Sequence, residues 1–258
     1  MLRWPAEAIW EAVAPALPGF TVEVLPALDS TNSELMRRAR DGRTDPVLLL
    51  AEHQSAGRGR MGRSWISRPG ASLTFSLAMA LAPRDWSGLS LAVGLSVANS
   101  LHPDIRLKWP NDLWLDERKL AGILLETGSA IGLAPGQRYL VVGIGLNIER
   151  PQGELAGPLS TAPAGLCERL PALDAPAVLL RLVPPLVRTL LQFERTGFAP
   201  FRDGFQARDA LRQRAVRLSD GSAGTACGVD AGGGLLVHTA AGMKTVTSAE
   251  ISVRPAAD

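Results

Sequence analysis

The hydrophobic pattern of this chain changes near residue 212, and this change restricts its fold more than any other feature. Before it, apolar runs of strand length alternate with segments of helical periodicity, which is typical of helices packed on a mixed sheet. After it, short alternating runs are separated by turns such as Asp220-Gly221 and Ala241-Gly242, which is typical of a small β-barrel. We therefore predict an α/β (α+β) fold over residues 1–211 and a small β domain over residues 212–258.

Local signals predict the individual elements. A capping box at 31–34 predicts the start of a helix, and Pro184-Pro185 predicts a kink or break in a later helix, because an interior proline costs about 3 kcal/mol. Glycines and prolines predict a loop at 150–165. The predicted helices are 5–13, 31–40, 89–101 and 177–196. The predicted strands are 21–25, 47–52, 72–81, 105–109, 119–127, 139–147, 216–219, 225–229, 235–239 and 244–247.

Composition excludes several classes of protein. With 46% hydrophobic and 20% charged residues, the chain is neither disordered nor fibrous. Its net charge of +2 does not favour nucleic-acid binding over the whole surface. Glu7 and Glu11 interrupt what would be the apolar core of a signal peptide, and the longest uncharged run, 86–103, is too polar to span a membrane. We therefore expect neither export nor membrane insertion.

Cysteine and histidine residues are too scattered to predict a metal site. Cys167 and Cys227 have no CxxC spacing, and the histidines at positions 53, 102 and 238 form no HxxxH pair. A zinc site built from these residues is therefore not expected. The absence of a disulfide framework also fits a reducing, cytoplasmic location.

Residues 57–65, here termed the glycine-arginine loop, contain three glycines and three arginines. Their spacing matches the dinucleotide-binding GxGxxG pattern and a phosphate-binding loop, but both require a helix to begin at the last glycine. Pro69-Gly70 belongs to a following segment that cannot be helical, so both matches are rejected. Amide and guanidinium groups in such a loop can close around an anion, and Trp65 offers a flat face to a base. A solvated basic loop and an RGG-like nucleic-acid segment are the alternatives.

Two further clusters place polar groups at strand ends. Lys108, Asn111 and Asp112 flank a proline turn between apolar runs, so they are predicted to project from a strand end; a surface hairpin with Asp112 paired to a lysine is the alternative. Only three of the 27 basic residues are lysines, so Lys119 suggests a site that needs a compact charge. Asn147 ends a strand with two glycines, where another group can approach the backbone closely.

In combination, these residues resemble the biotin protein ligase family. The resemblance implies a class II synthetase-like catalytic domain followed by an SH3-like domain. It also implies two half-reactions, in which biotin and MgATP form biotinyl-5′-adenylate and pyrophosphate, and a lysine of an acceptor protein then takes the biotinyl group. The motifs occur in the family's order and are Asp29-Ser30-Thr31-Asn32, Gln54 with 57–65, Lys108-Trp109-Pro110-Asn111-Asp112, Lys119-Leu120-Ala121-Gly122-Ile123-Leu124 with Glu126, and Gly143-Ile144-Gly145-Leu146-Asn147.

The resemblance further implies the roles of individual residues. Lys119 would lie beside the biotin carboxylate and the α-phosphate, and Asp112 would orient either the attacking lysine or the metal. The implied catalytic residues are Lys119, Arg60, Arg58 and Asp112. The implied biotin-binding residues are Ser30, Thr31, Asn32, Gln54, Arg58, Gly59, Arg60, Lys119 and Gly122. The implied ATP-binding residues are Arg60, Arg63, Trp65 stacked on adenine, Lys108, Asn111, Asp112, and Asn147 at the adenine edge.

The same resemblance sets expectations for cofactors and partners. ATP, biotin and Mg²⁺ held through the substrate phosphates are expected, without a tightly bound prosthetic group. Only about 28 residues precede the Ser-Thr-Asn segment, roughly half of a winged-helix domain, so we expect a monofunctional enzyme that does not bind DNA. The implied acceptor is a biotin carboxyl carrier protein, and an exposed strand edge could pair two copies into a homodimer.

Three other functions remain open from the sequence. A lipoate or octanoate ligase would share the fold and the adenylate chemistry, but its Arg-Arg-x-Ser-Gly-Gly-Gly signature is absent. A nucleic-acid-binding module would use the glycine-arginine loop, and its binding would depend steeply on salt. A catalytically silent biotin-binding regulator would bind biotin without exchanging pyrophosphate.

Overall fold

The computed structural model describes residues 2–152, 161–247 and 253–255, which form two sheets with α-helices packed on the first. The strands of the first sheet are β1 (Thr21–Leu28), β2 (Val47–Gln54), β3 (Ser72–Leu81), β4 (Arg106–Lys108), β5 (Asp112–Leu115), β6 (Arg118–Gly128) and β7 (Arg138–Asn147). Their order is β1-β2-β3-β7-β6-β5-β4. β1 and β2 are parallel, and all other neighbours are antiparallel. The predicted mixed α/β fold is therefore confirmed.

The two faces of the first sheet are covered differently. The helices are α1 (Ala6–Val13), α2 (Thr31–Arg40), α3 (Leu89–Leu101), α4 (Ala175–Thr196) and α5 (Arg202–Arg208). Leu73, Phe75 and Leu77 of β3 belong to the large core formed with α3 and α4, whereas the residues between them point to the face that α2 covers. α2 covers only part of that second face. The uncovered part carries polar side chains and glycines, and it is where a site can form.

The start of α2 differs by one residue from the capping box predicted at 31–34. Ser30 is the N-cap: its backbone is extended, and its Oγ accepts a hydrogen bond from the backbone N of Ser33 at 3.4 Å. Serine and threonine both cap helices well, so the local sequence does not distinguish them. Because the helix begins at Thr31, both Thr31 and Asn32 lie in its first turn and are buried against the sheet.

Helix α4 is continuous over 22 residues, so the predicted break at Pro184-Pro185 is wrong. The helix buries one face, including Leu182, Leu186 and Leu190, against α1 and α3. Each such side chain contributes about 1.5–3 kcal/mol on burial, so the whole buried face offsets the roughly 3 kcal/mol that each of the two interior prolines costs. By length and composition α4 could cross a membrane, but half of its most apolar window is buried inside the protein, as expected for a core helix.

The second sheet is antiparallel, in the order β11-β10-β9-β8-β12. Its strands are β8 (Ala215–Leu218), β9 (Ala223–Val229), β10 (Leu235–Thr239), β11 (Gly242–Val246) and β12 (Val253–Pro255). The first four were predicted, and β12 was not. The domain boundary at residue 212 stays a prediction. Of the loop predicted at 150–165, residues 153–160 lie outside the described part of the chain.

The second sheet is docked on the β4-β5 end of the first. Leu107 forms a β-bridge with Asp209, and the indole Nε1 of Trp109 donates to the carbonyl O of Gly233 at 3.0 Å. Gly233 has a φ of +83°, and a Cβ there would lie 2.7 Å from the Cα of Gly88. Only glycine fits this close approach of two backbones. The β4-β5 hairpin is thus connected both to the second sheet, at Gly233, and to the segment that leads into it, at Asp209.

Candidate active site

A cavity of about 820 Å³ opens on the α2 face of the first sheet. It collects residues from the start of α2, the end of β2, the glycine-arginine loop, the β4-β5 turn, β6 and the end of β7. Every site residue predicted from the sequence lines it: Ser30, Thr31, Asn32, Gln54, Arg58, Gly59, Arg60, Arg63, Trp65, Lys108, Asn111, Asp112, Lys119, Gly122 and Asn147. The roles assigned to these residues stay predictions, but the structure brings all of them to one cavity.

The pocket floor comprises Ser30, Thr31, Asn32, Gln54 and the buried Ser76. The last four are hydrogen-bonded to one another, and Ser30 Oγ accepts from the backbone N of Ser33. Gln54 Oε1 accepts from the backbone N of Thr31 at 2.8 Å and from its Oγ1 at 3.1 Å. Ser76 Oγ lies 2.6 Å from both Thr31 Oγ1 and Asn32 Oδ1. All five residues are less than 9% exposed. Such a network holds a set of neutral hydrogen-bonding groups in fixed positions.

The segment that leads into the floor is held by an ion pair on the surface. Both carboxylate oxygens of Asp29 accept from Arg37, at 2.7 and 2.9 Å, and Oδ1 also accepts from the backbone N of Ser30 at 2.7 Å. The hydrogen bond from Arg37 lowers the pKa of Asp29 to about 2. The charge next to Ser30 is therefore present throughout the neutral range.

The glycine-arginine loop folds back on itself without an α-helix. The backbone N of Gly59 donates to the carbonyl of Arg63 at 2.7 Å, and that of Trp65 donates to the carbonyl of Gly57 at 2.8 Å. A Cβ at Gly57 would lie 2.4 Å from the carbonyl O of Trp65, so the turn requires glycine at this position. Only a three-residue 3-10 turn occurs at Arg60–Gly62. The rejection of both nucleotide-loop patterns is therefore confirmed.

The pocket rim comprises the charged residues Arg58, Arg60, Arg63, Asp112 and Lys119. Lys119 Nζ lies 2.7 Å from Asp112 Oδ1, so the predicted alternative of an Asp112–lysine pair is present, but it lies within the cavity. Arg60 Nη1 donates to Asn111 Oδ1 at 3.2 Å. Burial lowers the pKa of the Arg60 guanidinium, a shift that Asp112 opposes and Arg63 reinforces. Three arginines and an ammonium thus face one enclosed volume.

Backbone contacts hold Lys119 in register. Its N donates to the carbonyl of Ala162 at 2.8 Å, and its carbonyl accepts from the N of Ala164 at 2.9 Å. Asn147 Nδ2 donates to the carbonyls of Ala164 at 3.0 Å and Lys119 at 3.4 Å. Asn147 therefore helps to fix the strand that carries the lysine, and its predicted contact with adenine stays a prediction.

The face of Trp65 covers the middle of the pocket. A Cβ at Gly145 would lie 2.4 Å from its ring, which explains why β7 has glycine where a strand normally carries a side chain. Lys119 Nζ lies 5.9 Å from the ring centroid, within range of a cation–π interaction. Trp65 Nε1 is buried and has no hydrogen-bond partner.

Sequence reasoning gave no role to three residues beside the predicted ones. Trp114 lines the cavity, and Lys108 Nζ lies 5.7 Å from the centroid of its ring. Ser76 and Glu126 contact the floor residue Asn32. Ser76 interrupts an apolar strand, which was a usable signal, whereas the partners of Glu126 depend on strand register. Among the described residues, no group of three or more His, Cys, Asp or Glu side chains could hold a metal ion.

Comparisons with known proteins show which family this chain resembles. The Biotin/lipoate A/B protein ligase family model matches residues 24–147, and the Biotin protein ligase C terminal domain model matches residues 214–254. The bifunctional ligase/repressor BirA of Escherichia coli is 36% identical over 93% of this chain and 76% of that protein. The biotin--[acetyl-CoA-carboxylase] ligase of Paracoccus denitrificans is 33% identical over 88% of this chain and 98% of that protein.

A solved structure is similar as well. Biotin protein ligase from Aquifex aeolicus, in complex with biotin and ATP, superposes with a TM-score of 0.75 at 29% identity, covering 91% of this chain and 99% of that one. Fold, cavity and matches together define an enzyme of the ligase class that forms a carbon–nitrogen bond. The chain belongs to the biotin protein ligase family. The lipoate-ligase and nucleic-acid alternatives are not favoured by these matches.

Proposed function

We propose that the cavity joins biotin to ATP and then delivers the biotinyl group to a lysine of a biotin carboxyl carrier protein. In the first step a biotin carboxylate oxygen attacks the α-phosphorus of ATP, and pyrophosphate leaves. In the second, the uncharged amine of the acceptor lysine attacks the carbonyl carbon of the mixed anhydride, and AMP leaves as the amide bond forms. The observation that carries this proposal is the convergence of Lys119, Asp112 and Arg60 beside a neutral, hydrogen-bonded floor.

The first step has an electrostatic problem that the pocket rim can solve. Two unit negative charges about 4 Å apart repel by about 4 kcal/mol at an effective dielectric constant of about 20. Lys119 supplies a compact positive charge, and Asp112 holds its Nζ at 2.7 Å. Arg60 supplies a second positive charge from the opposing loop. Cations fixed before the reactants arrive stabilise charge that develops in the transition state.

The floor is suited to the ureido ring of biotin, a neutral group with two N–H donors and one carbonyl acceptor. Ser30 and Thr31 offer hydroxyls, and Gln54 offers an amide whose Oε1 is already turned towards Thr31. Because these groups are buried and paired, they favour a ligand with a complementary set of donors and acceptors. An analogue that lacks one of those groups leaves a buried partner unpaired, which costs about 1–3 kcal/mol.

The nucleotide would lie between Trp65 and the β4-β5 turn. Trp65 is proposed to stack on adenine, with Asn147 at its edge, and Arg63, Lys108 and Asn111 near the phosphates. Mg²⁺ is proposed to enter with ATP, bound to its phosphates, since this ion commonly keeps its waters and binds few protein ligands. Asp112, which is paired with Lys119 in the cavity, would orient either that ion or the attacking lysine.

The partners and location follow from the same proposal. The acceptor would be a biotin carrier protein that presents its lysine to the cavity mouth. The cytoplasm is the proposed location, because the two cysteines, Cys167 and Cys227, are both unpaired and biotin carriers need no oxidising compartment. Pairing of two copies into a homodimer stays a prediction.

Mass spectrometry of a purified carrier domain tests the proposal directly. After incubation with this protein, biotin, ATP and Mg²⁺, the carrier should gain one biotinyl group at its acceptor lysine. Biotin-dependent exchange of pyrophosphate into ATP tests the first step alone. A carrier that gains a lipoyl or octanoyl group but no biotinyl group would identify the related ligase. Biotin binding without pyrophosphate exchange would identify a silent regulator.

A further inference from the structure

The side chain of Asn32 lies on the first sheet directly over Gly143, and a side chain at that position of the strand would collide with it. Ser76, Gly143 and Leu124 are neighbours in one row across β3, β7 and β6. A Cβ at Gly143 would lie 2.1 Å from Asn32 Oδ1, so the amide rests directly on the backbone of β7. On one side its Oδ1 accepts from Ser76, and on the other its Nδ2 donates to the carbonyl of Leu124 at 3.3 Å and to Glu126 Oε2 at 2.9 Å.

The neighbours of Asn32 determine which way its amide points. The Leu124 carbonyl and the Glu126 carboxylate can only accept hydrogen bonds, so the amide must present its NH₂ to them. Its Oδ1 then faces Ser76, whose single hydroxyl proton is directed to that oxygen. With its proton on Asn32, Ser76 Oγ accepts from the hydroxyl of Thr31, 2.6 Å away, which turns that hydroxyl from Gln54 Oε1. Gln54 keeps its hydrogen bond from the backbone N of Thr31 at 2.8 Å. Two acceptors, of which the Glu126 carboxylate is the nearer and the charged one, therefore determine the direction of a chain of hydrogen bonds that ends at the pocket floor.

The same carboxylate also reaches the glycine-arginine loop. Glu126 Oε1 lies 3.4 Å from Arg58 Nη1, and Arg58 also donates to Ser33 Oγ at 3.2 Å. Arg58 is half exposed, whereas the Glu126 side chain is 23% exposed. Glu126 thus has one oxygen on Asn32 of the buried floor and one near Arg58 of the glycine-arginine loop, and it connects these two parts of the site.

We propose that Glu126 is a positioning residue for the adenylation of biotin. Its carboxylate fixes the orientation of the Asn32 amide, and through it the hydroxyls of Ser76 and Thr31, while it anchors Arg58 over the pocket. This inference rests on the proposed function of the cavity. On this proposal Glu126 affects the binding of biotin, whereas a residue that contacted only the nucleotide would affect the binding of ATP.

The test compares two glutamates replaced by glutamine in the full-length protein. Glu126→Gln keeps the size of the side chain but offers Asn32 both a donor and an acceptor, so only the longer hydrogen bond to the Leu124 carbonyl still orients the amide, and the ion pair with Arg58 is lost. Glu52→Gln is the matched control, because Glu52 also lies on a strand of the first sheet and accepts from an indole N–H, that of Trp4, at 3.0 Å. The readout is biotin-dependent pyrophosphate exchange.

We expect Glu126→Gln to raise the KM for biotin by about 10-fold or more, as for the loss of a hydrogen bond to a charged group, with the KM for ATP within about twofold. Glu52→Gln should leave both near their wild-type values. A biotin KM for Glu126→Gln equal to that of the control overturns the inference, while wild-type exchange leaves the proposed function standing. Absence of exchange in the wild-type protein would instead overturn the proposed function.

A double-mutant cycle distinguishes positioning from independent structural effects. If Glu126 acts through Ser76, then Glu126→Gln and Ser76→Ala disturb the same chain of hydrogen bonds. The double variant should then have the same affinity for biotin as whichever single variant binds biotin more weakly. Fully additive losses contradict the proposal. If Glu126→Gln does not fold, as judged by circular dichroism, Glu126→Asp replaces it. That variant withdraws the charge by one methylene, and an unchanged biotin KM would also overturn the inference.

Discussion

The pocket floor and the pocket rim use opposite ways of holding polar groups. On the floor, Thr31 and Asn32 are each 3% exposed and bonded to neutral groups, apart from the one hydrogen bond from Asn32 to the Glu126 carboxylate. On the rim, the side chains of Lys119 and Arg58 are 30% and 51% exposed. A neutral network can be buried once its bonds are satisfied, whereas a buried cation without a partner is very costly. The floor can therefore be assembled in advance, while the rim must keep its charges partly in water until anions arrive.

The largest expected effect concerns the shape of one rim charge. Lys119→Arg keeps the positive charge, but a guanidinium is planar and larger than an ammonium. Lys119 Nζ lies close to Gly122, where a Cβ would be 3.4 Å away, and 2.7 Å from Asp112, so a guanidinium would not place its charge at the same point. We expect pyrophosphate exchange to fall by about 10²-fold or more, as when a donor to a developing charge is removed.

Lys244→Arg is the matched control for that change. Lys244 Nζ also pairs with an aspartate, Asp220, at 2.6 Å, but it lies in the second sheet. Exchange should stay close to wild type in this control. If Lys119→Arg retains exchange within about threefold of wild type, the rim does not need a compact charge and the contrast with the floor fails.

A smaller loss is expected from removing one hydroxyl of the floor. Thr31→Val keeps the shape of the side chain and deletes its hydrogen bonds to Gln54 and Ser76. We expect about a 10-fold weaker affinity for biotin by isothermal titration calorimetry, with an unchanged KM for ATP. Thr239→Val, which removes a hydrogen bond to the carbonyl of Gly242 in the second sheet, is the control. An altered ATP KM in Thr31→Val would show that floor and rim are not separate.

Salt should separate the two regions without any substitution. Charges exposed at the rim are screened over about 8 Å at 0.15 M ionic strength and over about 3 Å at 1 M. Raising the salt concentration from 0.05 to 0.5 M should therefore raise the KM for ATP several-fold. Binding of the uncharged biotin amide, which needs only the floor, should change by less than about twofold. Equal salt dependence of the two ligands would contradict the comparison.

Asp209 provides the smallest expected effect, on stability alone. Its Oδ1 accepts from the N of Leu211 at 2.9 Å, whereas its buried Oδ2 has no partner. Burial raises its pKa from 3.8 to about 6. The folded state therefore binds this proton more tightly than the unfolded chain does. Its contribution to stability is fully present below about pH 4 and is lost as the pH rises through about 6.

Asp209→Asn removes that dependence on pH. Two pKa units correspond to roughly 3 kcal/mol, reduced in part by solvent and by the unpartnered amide. We expect the variant to melt roughly 4–6 °C above wild type at pH 8, but at the same temperature near pH 4, with unchanged exchange activity. Asp203→Asn, at an exposed position on α5, should show no comparable rise. If the melting temperatures of the variant and the wild type differed by the same amount at pH 4 and at pH 8, the ionisation of Asp209 would not be the cause.

The sequence alone located the site better than it described its inner contacts. Motif residues such as Gln54, Lys119 and Asn147 fall at strand ends and turns, and strand ends of one sheet meet in space, so the predicted residues converge on one cavity. The roles of Ser76 and Glu126 were not visible, because they depend on the register that sets Ser76 opposite Gly143. A single sequence does not fix cross-strand register between strands that lie far apart along the chain.

The errors in the predicted fold have two physical causes. The break expected at Pro184-Pro185 followed from local propensity, while the burial that outweighs it depends on α1 and α3, which are distant in sequence. β5 was missed because the turn residues Pro110 and Asn111 outweighed the four strand residues that follow them. Tertiary packing overrode the local signal in the first case, and the element was too short to give a periodic signal in the second.

The hydrogen bond from Trp109 to Gly233 makes the two halves of the chain interdependent. A fragment ending near residue 212 would leave that indole N–H without an acceptor, at a residue adjacent to Lys108 and in the turn that leads to Asp112. Removing the smaller half would thus disturb the chemistry of the larger one, even at positions that the removed residues never touch. Transplanting the catalytic half alone into another protein would therefore require a substitute for that carbonyl.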